Sequence, residues 1–145
     1  MSARSLTERQ YRSLAEFRYQ VRRFLHFSER ESRAFSLQPQ HYQLLVAIKG
    51  LPIGKTPTIG TLAERMQLEH HSLVELLDRA SQQGLVSRRR DEGDRRRVGI
   101  RLTAKGDRLV AELARRHVAE LQTAGRDLKA ALEPLLRSED VRSRA

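Results

Sequence analysis

Residues 58–102 read TIGTLAERMQLEHHSLVELLDRASQQGLVSRRRDEGDRRRVGIRL, and the punctuation of this stretch decides the fold. Thr58 is placed to cap a helix of about two turns whose apolar positions are Ile59, Leu62, Ala63 and Met66. A turn is expected near Gln67-Leu68-Glu69. A second helix then runs from about His70 to Gln83, with Leu73, Val74, Leu76 and Leu77 as its apolar face and Gly84 as its stop. Leu85 to Arg89 reads as a strand, Asp91 to Arg95 as a turn, and Val98 to Leu102 as a returning strand with period-two alternation.

Upstream, Leu6 to about Phe35 carries Tyr11, Leu14, Phe17, Val21, Phe24 and Leu25 at spacings of three and four, which predicts one long amphipathic helix. Its stripe is too long to be buried within so small a domain, so part of that face is expected to meet a second chain. Pro39 suits the first turn of a second helix carrying Leu44, Leu45, Ala47 and Ile48 and stopping at Gly50. Leu51 to Pro57 holds two prolines and a glycine and reads as a loop. Downstream, Thr103 is a reasonable cap for a helix to about Ala124, with Leu109, Leu113, Val118 and Leu121 facing inward. Gly125 is expected to interrupt it before Leu128, Leu132, Leu135 and Leu136 continue the stripe. Pro134 is expected to kink or end that last piece, and Arg137 to Ala145 to fray.

The chain has 145 residues, with 28 Lys+Arg against 18 Asp+Glu, a formal charge of +10. One core is the default at this length, and a large multidomain enzyme is excluded. The basic excess points to a polyanion, nucleic acid first, while composition alone leaves anionic membranes open. Arginine dominates the cations, which fits forked contacts to phosphate or guanine and equally fits an Arg-rich codon usage. Without cysteine there are no disulfides, thiolate zinc sites or thiol redox sensors. No apolar run approaches the roughly 20 residues of a membrane span, and the Arg-studded N-terminus lacks a signal-peptide core, so a cytoplasmic protein is expected.

A helix-turn-helix followed directly by a hairpin is the winged-helix order: mainly α with a small β-hairpin wing, flanked by N- and C-terminal helices. The chain resembles the MarR family of bacterial transcriptional regulators. The resemblance is carried by Leu62-Ala63-Glu64-Arg65, Leu77-Asp78-Arg79, Gly84-Leu85-Val86, Arg88-Arg89-Arg90, Asp94-Arg95-Arg96 and Leu102-Thr103-Ala104-Lys105-Gly106, in that order. It implies a single MarR-like domain in which about 1–36 and 104–137 form dimerisation helices and about 39–103 a DNA-binding lobe. It also implies a homodimer on a pseudo-palindromic site of double-stranded DNA, acting as a ligand-responsive repressor.

In a helix-turn-helix the second helix enters the major groove with its N-terminal residues against base edges. Here the exposed positions opposite the leucines are His70, His71, Ser72 and Glu75. Glu75 repels phosphate. It is suited only to accepting from cytosine N4 or to pairing with Arg79 one turn later. Arg79, and Thr58 at the start of the motif, complete this DNA-facing set. Between Ser87 and Arg101 stand seven Arg and three acids. By resemblance Arg96 enters the minor groove with Asp94 buttressing its guanidinium, while Arg95 and Arg97 reach flanking phosphates, as do Arg88, Arg89 and Arg90 where they point outward. The plainer alternative is a solvated hairpin held by Asp–Arg pairs.

His26, His41 and His117 lie outside the recognition helix, and the resemblance places a small-ligand crevice beside the flanking helices. An anionic or aromatic effector held by Arg22, Arg23, His26, His41 or His117 is one expectation. An inter-helix hydrogen bond and simple exposure are the others. No His-x-x-x-His spacing supports a metal, and no cofactor is expected. There is no Gly-rich phosphate loop, nucleophile elbow or His-Glu-x-x-His, so no catalytic residue is assigned. The rivals to an operator-binding regulator are a winged-helix module for protein contacts or non-specific nucleic acid, and a ligand- or metal-binding protein that has lost DNA function.

Overall fold

The computed structural model describes residues 4–90, 93 and 98–137. Its elements are α1 (Glu8–Ala34), α2 (Pro39–Lys49), α3 (Ile59–Met66), α4 (His70–Gln82), β1 (Val86–Arg90), β2 (Val98–Leu102) and α5 (Ala104–Arg137). This is a mainly helical chain with a two-stranded antiparallel wing. It divides into two compact units. One comprises the residues up to Arg30 together with those from Arg116 onward, and the other is Glu31–Arg115.

Local chemistry sets the helix ends. α1 opens on a reciprocal box in which Thr7 N–H donates to Gln10 Oε1 (2.8 Å) and Gln10 N–H donates to Thr7 Oγ1 (3.2 Å). Three helices stop in the same way. After α1, α3 and α4 a residue with positive φ (Ser36 56°, Gln67 53°, Gly84 71°) is followed by a leucine whose N–H returns to the carbonyl five residues earlier. These closures run from Leu37 to Ser32, Leu68 to Ala63 and Leu85 to Ala80. Each satisfies an orphan carbonyl and turns a leucine back onto the core. Only Gly84 takes the left-handed conformation without steric cost; Ser36 and Gln67 each give up roughly 1 kcal/mol to do so.

The Glu31–Arg115 unit owns the main core. Leu44, Leu45, Leu62, Leu73, Leu76, Leu77, Leu85, Ile100 and Leu113 are all essentially fully buried. They come from α2, α3, α4, the turn before β1, β2 and the first third of α5, and Val86 of β1 joins them, so the helical stripes and the inner hairpin face converge on one cluster. In the hairpin Val86 lies opposite Leu102, Arg88 opposite Ile100 and Arg90 opposite Val98. Ile100 also donates its N–H to the Pro57 carbonyl (2.9 Å), so the expected loop 51–57 ends by joining the free edge of β2.

The start of α5 is clamped to the end of α4. Thr103 Oγ1 donates to the Gly84 carbonyl (2.6 Å), Thr103 N–H donates to the Leu85 carbonyl (3.1 Å), and Lys105 Nζ donates to the Gln83 carbonyl (2.9 Å). Thr103 Oγ1 also accepts from Gly106 N–H (3.1 Å), capping α5. Gly106 packs so closely on Leu85 that any Cβ would overlap the Leu85 carbonyl oxygen, which is backbone and cannot swing aside. Alanine is ordinarily about 1 kcal/mol better than glycine inside a helix. Here overpacking wins, and Gly106→Ala is expected to destabilise the protein by roughly 1–3 kcal/mol, read as a lower melting temperature. An unchanged or raised melting temperature would show that the backbones can separate at no cost.

Three expectations are corrected. Gly125 does not interrupt α5, which is continuous from Ala104 to Arg137. The glycine removes about 1 kcal/mol of propensity, and hydrogen bonds in the turns on either side outweigh it. Nor does the helix end at Pro134, which sits in its final turn with three residues following; the hydrogen bond it forfeits lies too near the terminus to matter more. Val118 and Leu121 do not face inward: they are 55% and 38% exposed, and His117 is buried instead.

Candidate nucleic-acid interface

α4 buries Leu73, Leu76, Leu77 and Ala80 and leaves His70, His71, Glu75, Asp78 and Arg79 exposed, with Ser72 half-buried. Its N-cap, Glu69, makes no side-chain cap bond, so the first-turn N–H groups stay available at the positive end of the helix dipole. Amides, two imidazoles and a hydroxyl thus share one exposed end. No ion pair joins Glu75 to Arg79 among the described residues. Thr58 does cap α3, accepting from Thr61 N–H (3.2 Å) and donating to Thr61 Oγ1 (3.0 Å). That hydroxyl is therefore occupied within the fold.

The hairpin sorts its arginines by parity. Val86 and Ile100 are buried, so Arg88 shares the inner face and Ser87, Arg89, Gly99 and Arg101 share the outer one. Arg88 turns its guanidinium onto Asp78 of α4, forming an ion pair. Arg89 and Arg101 are exposed on the outer face; Arg89 is thus one of the strand arginines that point outward, and Arg101 is one that sequence reasoning missed. The signal that would have found Arg101 was the alternation counted from buried Val86. Arg90 closes β1 opposite Val98. Asp94, Arg95, Arg96 and Arg97 lie outside the described residues.

The histidines fall into different settings. His117 is buried in the unit formed by the chain's two ends, its Nε2 2.9 Å from Ser28 Oγ and its ring edge-on to Phe27 and Phe24, with centroids at 5.4 and 6.0 Å. His26 is exposed and lines a crevice of about 170 Å³ with Arg23, Arg30, Phe24, Phe27 and Glu120; Arg22 is not among its walls. His41 belongs to the other unit. Among the described residues no three His, Asp or Glu side chains gather as a metal site.

His41 is 2% exposed and its Nδ1 has no hydrogen-bond partner. Burial, then the Arg79 charge, hold its pKa below the ordinary imidazole value, against a side-chain hydrogen bond with Gln83 that raises it. A histidine kept neutral by folding binds its proton more readily when unfolded, so stability falls as the pH drops below about 6.5, the unfolded value, toward the folded one. The melting temperature of the protein should decline more steeply between pH 7 and 5 than that of His41→Gln. Parallel declines would exclude His41 as the source.

A helix-turn-helix whose second helix ends against a basic hairpin defines a winged-helix protein. Residues 35–97 match the model of the MarR family. Solved structures share the fold over nearly the whole chain. AbsC, a MarR family transcriptional regulator from Streptomyces coelicolor, is 24% identical, with 98% of this chain and 100% of that one covered at a TM-score of 0.73. A MepR variant from S. aureus bound to an oligodeoxyribonucleotide is 21% identical, covering 92% and 99% at 0.64. A MarR variant from E. coli complexed with operator DNA is 19% identical, covering 83% and 88% at 0.63. No helix among the described residues is long and apolar enough to cross a membrane.

Proposed function

We propose that the protein is a cytoplasmic, homodimeric transcriptional regulator that binds a pseudo-palindromic operator, acts as a repressor and has no enzymatic activity. The observation that carries the DNA reading is the pairing, on one lobe, of the exposed α4 N-terminus with an arginine-rich hairpin. The helix suits the major groove and the hairpin the backbone and minor groove. In this reading His70, His71, Ser72 and Glu75 meet bases or phosphates, Arg96 enters the minor groove supported by Asp94, and Arg79, Arg90, Arg95 and Arg97 add phosphate contacts. Arg89 and Arg101 join them from the outer face.

The dimer reading rests on the other unit. Among its described residues only Gln20, His117 and Ala131 are buried, while Leu6, Tyr11, Leu14, Tyr19, Leu25, Val118, Leu121 and Leu136 are exposed. A second copy of the chain would cover that surface, including the crevice of about 500 Å³ between Leu6 and Leu135. The effector reading rests on the smaller crevice. Its two Phe rings and cationic Arg23 and Arg30 suit a single-ring aromatic acid, whose ring needs a space on the order of 150 Å³.

Selection of bound sites from random DNA tests the whole reading. It is expected to return two half-sites about one helical turn apart, bound at least roughly a thousandfold more tightly than random duplex. A ratio near one would leave a non-specific nucleic-acid or protein-contact module. Repeating the titration with benzoate tests the effector: weakened operator binding supports it, and unchanged affinity removes this class of ligand.

A further inference from the structure

Arg88 was expected to reach DNA where it points outward, yet the structure turns its guanidinium onto Asp78 of α4. We propose that Asp78 and Arg88 are positioning residues: their ion pair sets the angle of the hairpin against α4, so that the two engage one DNA site together. The inference rests on the operator reading above and adds to it a residue, Asp78, that touches no DNA in that scheme.

Two independent anchors fix an angle where one would leave a swivel. The first anchor is the α4 to β1 corner, where the carbonyls of Gln83, Gly84 and Leu85 are held by Lys105 and Thr103. It fixes where β1 starts, and buried Val86 and Ile100 with the Ile100 N–H to Pro57 carbonyl bond seat the base of the hairpin on the core, but none of these ties the strand to α4 beyond its first residue. The second anchor is the ion pair, which ties a point four residues before the end of α4 to the third residue of β1. It closes a triangle whose sides are the last turn of α4, the first half of β1 and the Asp78–Arg88 contact. Parity forces this partner choice. Val86 and Ile100 are buried, so Arg88 projects to the helix side, whereas Arg89 and Arg101 project away and have no such contact with α4.

The charge placement argues the same way. An acid on the recognition helix of a basic DNA-binding lobe repels phosphate, so Asp78 taken alone weakens binding. Paired to Arg88, it loses most of that cost. The Asp78 side chain is 54% exposed and that of Arg88 32%, so the pair adds little stability on its own; its value lies in geometry.

That sign conflict supplies the test. Affinity for the selected operator and for random duplex is measured at one ionic strength for the wild type, Asp78→Asn, Asp78→Glu, Arg88→Gln, and the swap of Asp78→Arg with Arg88→Asp, each checked for an intact melting transition. Asp78→Asn is expected to weaken operator binding on the order of tenfold while random-duplex binding holds or tightens, because an acid has been removed. Asp78→Glu should stay near wild type, and the swap should recover most of the loss. A variant that had merely unfolded would lose both affinities. A wild-type specificity ratio near one removes the operator reading and the positioning role with it. A high ratio that Asp78→Asn leaves unchanged or raises overturns the positioning role alone. So does an Arg88→Gln variant that weakens both DNAs equally and lowers the salt slope by about one, the mark of a direct phosphate contact.

Discussion

Leu14→Glu combined with Leu25→Glu should leave the protein monomeric and its operator affinity at least about a hundredfold weaker. Leu14 and Leu25 lie eleven residues apart on α1, three turns, and therefore share a face. They are 43% and 48% exposed in the single chain. Covering a leucine contributes roughly 1.5–3 kcal/mol, and burying an unpaired carboxylate in its place costs more than that gain. A dimer that presents two lobes to two half-sites gains about 10²–10⁴ in affinity over either lobe alone, and a monomer forfeits it. Light scattering after gel filtration measures the mass, and operator titration measures the loss. The Glu31–Arg115 core contains neither residue, so its melting transition should survive and separate dissociation from unfolding. A wild-type monomer, or a charged variant that still dimerises, would overturn the proposed interface.

The second large effect is expected at Arg96. Arg96→Ala should weaken operator binding roughly 10–100-fold, the range for one specific arginine contact, and reduce the salt slope by about one. Arg96→Lys keeps the charge and loses the planar fork, so it should fall between the two. The placement follows from β1 and β2: Arg90 and Val98 are paired, which puts Arg96 within the seven-residue connection at the far end of the hairpin. Unchanged binding in Arg96→Ala would favour the plainer reading of the hairpin as a solvated, charge-rich turn.

Much of the lobe was legible because its signals are local. Thr58 and Thr103 announce helix starts through a hydroxyl three residues from the N–H it accepts, and the i, i+3, i+4 leucines of α4 point one way whatever surrounds them. The Gln67 turn was visible as a break in periodicity, although its left-handed residue is not a glycine. Gly125 and Pro134 misled for the opposite reason. Their local penalties are real, but helix length and position in the last turn decide whether a penalty becomes a break. Val118 and Leu121 misled because an apolar stripe says which residues seek cover without saying whether the cover lies in the same chain.

The candidate site divides along the same line. The sequence by itself determined the basic excess, the order of helix-turn-helix and hairpin, and which faces of α4 and of the strands are apolar, since all of these depend on neighbours a few residues apart. Only the tertiary structure decided that Arg88 serves Asp78, that Arg89 and Arg101 stand outward, that His41 and His117 are buried in different units, and that Gly106 lets two backbones touch. Those outcomes hang on contacts between residues from ten to nearly ninety positions apart in the chain, such as Asp78 with Arg88, Leu85 with Gly106 and Ser28 with His117. No period or motif encodes such a pairing, because which groups meet is settled by the packing of whole elements around one core.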